Sequence, residues 1–115
     1  MQSAAQLRDA GIQTAVDHAD AVVPRWSDRA YALLVRAVSS RQMRNPDQPF
    51  MAEEVRAYAE NLGLPSPPDP RAWGGVLQRA SRAGLIVKAG YAESSNRQAH
   101  LRPTQQWRVA QAKAA

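Results

Sequence analysis

The segment "LPSPPDP", residues 64–70, constrains the fold of this chain more than any other feature. Four of its seven residues are proline. Proline cannot donate a backbone hydrogen bond and its ring clashes with the preceding turn, so this segment cannot be helical. It predicts a stiff connector between two separate helices, one that ends near Gly63 and another that begins near Asp69.

Two more helices are predicted in the N-terminal part of the chain, before the pair of helices that the connector joins. Apolar residues at helical spacing indicate a first helix over residues 4–23, which Pro24 stops. Ser27 is a suitable N-cap for a second helix that ends near Arg44, before the turn cluster "NPDQP" of residues 45–49. The predicted buried face of the second helix comprises Ala30, Leu33, Leu34, Ala37 and Val38.

Two further helices flank the connector. The third covers residues 51–62, with Gly63 at the C′ position that favours glycine. The fourth is capped by Asp69, has Pro70 at its first position and ends at Gly84. The expected buried face of the third helix consists of Met51, Val55, Ala59 and Leu62.

Strand signals are confined to the region after the fourth helix, apart from a short extended anchor at Phe50. Residues 85–91, "LIVKAGY", are apolar and β-prone, and residues 102–109, "RPTQQWRV", indicate a second strand. The polar residues 92–101 between them predict the loop of a hairpin. The expected fold is therefore mainly α with a small β-hairpin, an α+β chain, followed by a frayed tail over residues 110–115.

The segments "RAWGGVLQRASRAGLI", "VKAGY" and "RPTQQWRV" together resemble a winged helix-turn-helix domain. "PRWSDRAYALL" and "FMAEEVRAYAENLGLP" resemble the preceding helices of small proteins encoded by bacteriophages and prophages, often near replication and recombination genes. The resemblance covers roughly residues 15–109. It implies one winged-helix domain over residues 1–109, with extra N-terminal helices in residues 1–44 and a core in residues 50–109. Met51 departs from the Ser, Thr or Asp usual before the first helix of the motif.

Charge is distributed unevenly along the chain, whose formal net charge is +5. Residues 1–60 contain seven arginines against eight acidic residues, whereas residues 61–115 contain eight Lys and Arg against two acidic residues. A genome rich in G and C would favour arginine everywhere, but it would not remove acidic residues from one half only. The second half is therefore expected to bind a polyanion.

The fourth helix carries the strongest signal for DNA. On a helical projection, the apolar stripe of Trp73, Val76, Leu77 and Ala80 faces the core. The opposite side carries Arg71, Gly75, Gln78 and Arg82, with Arg79 beside them. Arginine binds phosphates or guanine and glutamine pairs with adenine, while Gly75 would let the backbone approach a duplex. The alternative is a solvated helix whose arginines only maintain solubility.

The predicted hairpin adds basic residues that could act as a wing. Lys88, Arg97 and Arg102 are expected to reach phosphates or an adjacent minor groove. The alternative is a hairpin tip without a binding role. Trp107 and Trp73 are expected in the core, and His100 at a turn or strand edge.

Other classes of function have little support in the sequence. The chain has no cysteine and only two histidines, and it carries no motif of a catalytic, metal or cofactor site. We therefore expect a cytoplasmic, non-enzymatic protein that binds duplex DNA in phage transcription or replication. The alternative is a protein-interaction module that uses the first two helices to bind a phage or host protein. A homodimer is compatible with both hypotheses, and no apolar run predicts a membrane span.

Overall fold

Four helices and three strands follow one another in the computed structural model, which describes residues 3–44, 47–93 and 103–110. The chain is mainly helical with a small antiparallel sheet, as the α+β prediction required. In chain order the elements are α1 (Ala4–Val22), α2 (Trp26–Arg44), β1 (Phe50–Met51), α3 (Ala52–Asn61), α4 (Ala72–Arg82), β2 (Ile86–Glu93) and β3 (Pro103–Val109).

The junction between α1 and α2 differs from the predicted one. α2 begins at Trp26, so Ser27 lies in its first turn and is not its N-cap. The carboxylate of Asp20, on α1, accepts hydrogen bonds from the Ser27 backbone N–H at 2.7 Å and from its hydroxyl at 2.8 Å. Arg25 adopts a positive φ of 61° in the tight turn between the helices. The free N–H groups at the start of α2 are thus capped by a residue of the preceding helix.

The start of α3 explains how Met51 can replace a capping residue. The Glu54 carboxylate accepts a hydrogen bond from the Met51 backbone N–H at 2.7 Å, which is half of a capping box. At the other end Gly63, with φ of 97°, confirms the predicted C′ glycine. Leu62 was expected on the buried face but is 50% exposed, because the helix ends at Asn61 and the chain turns there.

The first two residues of the proline-rich connector, Leu64 and Pro65, attach it to the rest of the fold. Leu64 is buried, and its N–H donates to the Ala59 carbonyl at 3.1 Å. The Pro65 carbonyl accepts a hydrogen bond from the indole Nε1 of Trp26 at 2.8 Å. The Trp26 ring in turn meets the Trp73 ring edge-on, with centroids 5.3 Å apart. The connector therefore fixes α3 and α4 relative to α2.

α4 begins later than its capping sequence predicts, since Arg71 is its N-cap, so Asp69 is not the N-cap and Pro70 is not the first helical residue. The Asp69 carboxylate accepts the Arg71 backbone N–H at 2.9 Å, and the Ala72 N–H donates to the Asp69 carbonyl at 3.0 Å. Asp69 thus caps a tighter turn that precedes the regular helix, which begins at Ala72. Gly84, with φ of 79°, ends the helix as predicted.

The sheet has the strand order β1-β3-β2, with both neighbouring pairs antiparallel. Phe50 pairs with Trp107, and Ile86 pairs with Val109. The β2–β3 register shifts between Lys88 and Gly90, which indicates a bulge. The predicted loop of residues 92–101 begins later than expected, since β2 extends to Glu93.

The C-terminal tail was predicted to begin at residue 110. The Ala110 N–H instead donates to the Leu85 carbonyl at 3.0 Å and extends the pairing of β3 with β2 by one residue. Residues 111–115 lie outside the described residues.

A single apolar core joins the N-terminal helices to the rest of the chain. It includes Ala19 of α1, Leu34 of α2, Val55 of α3, Trp73 of α4 and Trp107 of β3. The predicted core positions of the two tryptophans are confirmed, with 2% and 7% of Trp73 and Trp107 exposed. Both α1 and α2 pack directly against α4.

Candidate nucleic-acid interface

Helix α1 crosses α4 at its two adjacent glycines. A methyl group placed on Gly75 would lie 2.6 Å from Val16 Cγ2 and 3.3 Å from Ile12 Cγ2. One placed on Gly74 would lie 3.4 Å from Ile12 Cδ1. α1 thus packs against both glycines, but a side chain would fit at Gly74 and would collide with Val16 at Gly75. The outward position expected for Gly75 is wrong, because α1 occupies the space where a duplex would approach its backbone.

Arg71, at the start of α4, is exposed but already has an acidic partner. Its Nη2 lies 2.7 Å from Asp69 Oδ2, and its Nη1 would lie 3.0 Å from a methyl group placed on Gly11 of α1. The hydrogen bond from the Arg71 side chain lowers the pKa of Asp69, and the same pair raises the pKa of Arg71. Arg71 thus bridges its own capping carboxylate and the crossing helix.

Arg79, on the flank of α4, connects this helix to α2. Its Nη1 donates to Asp28 Oδ1 at 2.9 Å, and its guanidinium lies 4.0 Å from the centre of the Tyr31 ring. An ion pair combined with a cation–π contact holds the side chain in one place. The charge of Arg79 is therefore partly neutralised within the fold.

Gln78 lies closer to α1 than the helical projection indicated. It is half-buried, and its Nε2 donates to Asp9 Oδ1 at 3.4 Å. Of the predicted recognition face, α1 thus covers Gly75 and contacts Gln78, whereas Arg82 at the end of the helix stays exposed.

A groove of roughly 550 Å³ lies between the first half of α1, one side of α4 and the β2–β3 hairpin. The buried side chains of Leu77 and Trp107 contribute apolar lining. Three cations line it, one from each element: Arg8 of α1, Arg82 of α4 and Lys88 of β2. Asp9 is its acidic residue, so the groove carries an excess of positive charge.

The three groove cations differ from Arg71 and Arg79, which have acidic partners. Within the described part of the chain, Arg8, Arg82 and Lys88 make no ion pair and no side-chain hydrogen bond. An exposed cation without a carboxylate partner can bind a phosphate without first breaking another contact. The groove is thus the place where the described structure collects available positive charge.

Gln78, Arg82 and Lys88 of the groove were predicted site residues, whereas Arg8, Tyr91 and Gln105 were not. Arg8 carries no local signal, because its position depends on the crossing of α1 over α4. Tyr91 and Gln105 were assigned to the hairpin without a role. Gly90 was the available signal for Tyr91, since a glycine inside a strand often marks a bulge.

The remaining predicted site residues, Arg97 and Arg102, lie outside the described residues, as does His100. Among the residues that the structure describes, no helix has the length and apolar content to cross a membrane. Within the same ranges, no group of three or more acidic or histidine side chains is placed to hold a metal ion.

Comparisons with known proteins add no relative. No family model matches the chain, and neither a curated protein nor a solved structure matches it.

Proposed function

We propose that this chain is a non-enzymatic winged-helix protein that binds DNA along the basic groove. The order α3, connector, α4, β2 and β3 supports the winged-helix assignment, together with the pairing of β1 with β3. In this interpretation α2 is the first helix of the winged domain and α1 is an addition that packs over α4.

The observation that carries the proposal is the set of unpaired groove cations, Arg8, Arg82 and Lys88. Two of them belong to α4 and the hairpin, the elements that a winged helix uses as recognition helix and wing. Phosphate contacts from such residues supply most of the affinity of a DNA-binding protein and position it on the duplex. Arg97 and Arg102 lie outside the described residues, and the sequence-based expectation that they contact phosphates remains part of the proposal.

Duplex DNA is the proposed partner, and the cytoplasm the proposed location. The resemblance to small phage and prophage proteins extends the proposal to transcription or replication of such an element. The groove cations account for affinity rather than for the choice of a base sequence.

The proposal is tested by titrating salt against binding of a labelled blunt duplex. The variant Arg82→Ala/Lys88→Ala should lower the slope of log K against log salt by about 1.8, since each phosphate contact contributes roughly 0.9. The control Arg29→Ala/Arg36→Ala removes the same charge from exposed positions on α2, away from the groove, and should change the slope much less. Absence of binding by the unmodified protein at low salt would refute the proposal.

A protein-interaction module is the second candidate, because α1 covers the middle of the α4 face expected to contact DNA. α1 also exposes Leu7 and Val22, which are 58% and 57% accessible. In this case helices α1 and α2 would bind a phage or host protein. This candidate would be favoured by a stoichiometric protein partner that co-purifies with the chain and is lost in Leu7→Ser/Val22→Ser. The unmodified chain should then show no binding to a duplex. Homodimerisation through the same helices is compatible with both candidates.

A further inference from the structure

We propose that the groove holds one unpaired nucleotide of the bound DNA, with its base stacked on Tyr91. The preferred substrate is then a duplex with a single-stranded extension rather than a fully paired duplex. This inference rests on the proposed DNA binding and adds the kind of DNA that the same site selects.

The β2 bulge brings Tyr91 to the groove. Side chains in a regular strand alternate between faces, so residues three apart, such as Lys88 and Tyr91, would point to opposite sides. The register shift between Lys88 and Gly90 adds one residue to β2, after which Tyr91 pairs with Gln105. Gln105 shares a face with Trp107, the partner of Lys88, and all four residues line the groove. Gly90, with φ of 109°, supplies the backbone conformation at this point.

The exposure of Tyr91 sets it apart from the other large aromatic side chains. Tyr91 is 70% exposed, whereas Tyr31 and Tyr58 are half-buried and the three tryptophans and Phe50 are at most 7% exposed. An exposed aromatic ring beside cations is the usual arrangement for stacking a nucleic-acid base whose phosphate is bound nearby. The folded chain alone leaves the apolar surface of this ring exposed to water. A base stacked on the ring would cover that surface, which is favourable.

Polar groups around the ring fit the edge of a base. The Gln105 Nε2 donates to the Gly90 carbonyl at 2.9 Å and to the Gln106 carbonyl at 2.7 Å. Both of its hydrogens are thus used, which leaves Oε1 as an acceptor for an exocyclic amino group. Lys88 and Arg82 lie on the same groove and provide the positive charge for the phosphate.

An unpaired nucleotide is the occupant that fits best, because internal base pairs of a duplex are covered on both faces by their neighbours. A ring can stack only on a base with an uncovered face, which every base of a single-stranded extension can offer and which a blunt duplex offers only at its two terminal pairs. The groove is also bounded by α1 on one side, with Asp9 bonded to Gln78 of α4 at 3.4 Å. The groove volume of roughly 550 Å³ falls within the range of small-molecule sites, about 300–1,000 Å³, which suits one nucleotide.

The test compares a blunt duplex with two versions of the same duplex, one carrying a short single-stranded 5′ extension and the other a short single-stranded 3′ extension. The unmodified protein should bind one of the extended duplexes about tenfold more tightly, the size expected for stacking of one base. Tyr91→Ala should lose this preference, so that the ratio of the two affinities falls to about one, whereas Tyr91→Phe should keep the ratio of the unmodified protein. Arg82→Ala/Lys88→Ala should weaken binding to both kinds of DNA.

The outcomes separate this inference from the proposed function. Equal affinity of the unmodified protein for blunt and extended duplexes would overturn the stacking site and leave DNA binding intact. A preference that persists in Tyr91→Ala, in a variant with an unchanged thermal unfolding midpoint, would also overturn it. Failure to bind either DNA at low salt would overturn both proposals.

Discussion

The two halves of α4 carry similar residues on the same helix face but have different surroundings. In the N-terminal half, α1 packs against Gly74 and Gly75 and contacts the side chain of Arg71. In the C-terminal half, Arg82 is exposed at the edge of the basic groove. The difference arises because glycines present no side chain and let the second helix approach. The polar composition of a helix face therefore does not show that the face is exposed, since α1 covers part of this one.

The arginines of this helix divide by acidic partner rather than by half. Arg71 lies 2.7 Å from Asp69, and Arg79 on the flank lies 2.9 Å from Asp28, whereas Arg82 has no acidic partner in the described part of the chain. Such exposed ion pairs contribute little to stability, but they lower the charge available to a ligand. Availability of charge, rather than the number of arginines, thus distinguishes the groove.

Gly75→Val is the substitution that most directly disrupts the packing of α1 against α4. A branched side chain at this position would overlap Val16, whose Cγ2 lies 2.6 Å from where even a methyl group would be. We expect a loss of about 1–3 kcal/mol in the free energy of unfolding, measured by urea denaturation. The double variant Val16→Ala/Gly75→Val should recover part of that loss.

Gly74→Ala is the matched control for this prediction. Its added methyl group would lie 3.4 Å from Ile12 Cδ1, and alanine favours the helix over glycine by about 1 kcal/mol. Stability should therefore stay the same or rise. Equal destabilisation by both substitutions would contradict the assigned crossing point.

The junction that directs α1 across α4 is tested by Asp20→Ala. This substitution removes the acceptor for the Ser27 N–H and hydroxyl and should cost about 1 kcal/mol in unfolding free energy. Asp17→Ala, three residues earlier on the exposed side of α1, should change stability by less than about 0.5 kcal/mol. Thermal denaturation of both variants measures the difference, and equal effects would remove the capping role of Asp20.

The two halves are compared for DNA binding by Arg71→Ala and Arg82→Ala, which remove the same charge from the same helix face. Loss of a phosphate contact at Arg82 should weaken binding roughly fivefold and lower the salt slope by about 1. Arg71→Ala should change affinity less than about twofold, because its guanidinium is paired with Asp69. Fluorescence anisotropy measures both, and a larger effect at Arg71 would reverse the comparison.

The smallest predicted effect is the pH dependence of the Asp69 cap. Its pKa in the folded protein is lowered from the ordinary value of 3.8, first by the hydrogen bond from the Arg71 side chain. A depressed carboxyl pKa stabilises the fold above the unfolded-state pKa, and this stabilisation is lost as pH falls through the folded-state value. The stability difference between the unmodified protein and Asp69→Asn should therefore shrink between pH 5 and about pH 2. A difference independent of pH would exclude the ionised cap.

Local signals were sufficient for most of the fold. Gly63 and Gly84 end their helices as predicted, since glycine at a positive φ is a requirement of the adjacent backbone alone. Trp73 and Trp107 are in the core, because apolar periodicity reports burial within one element. The Phe50 anchor became β1, which pairs with β3.

The errors at Gly75, at the cap of α2 and at Tyr91 concern positions that depend on a second element. The orientation of Gly75 is set by Ile12 and Val16 of α1, and no feature of α4 alone indicates a neighbour on its polar side. The cap of α2 comes from Asp20, a residue of a different helix. Regular alternation places Tyr91 opposite Lys88, and only the register of the paired strand reveals the bulge that brings them together.

The central claim is that DNA contacts the groove end of α4 while α1 remains on the glycine end. Backbone amide chemical-shift mapping by NMR, with increasing amounts of an extended duplex, tests it most directly. We predict that shifts cluster at Arg8, Arg82, Lys88 and Tyr91, while Gly75 is unchanged and keeps its close contact with Val16. Shifts centred on Gly75, with loss of that contact, would show that α1 leaves and that the whole face of α4 binds DNA, in contradiction to this account.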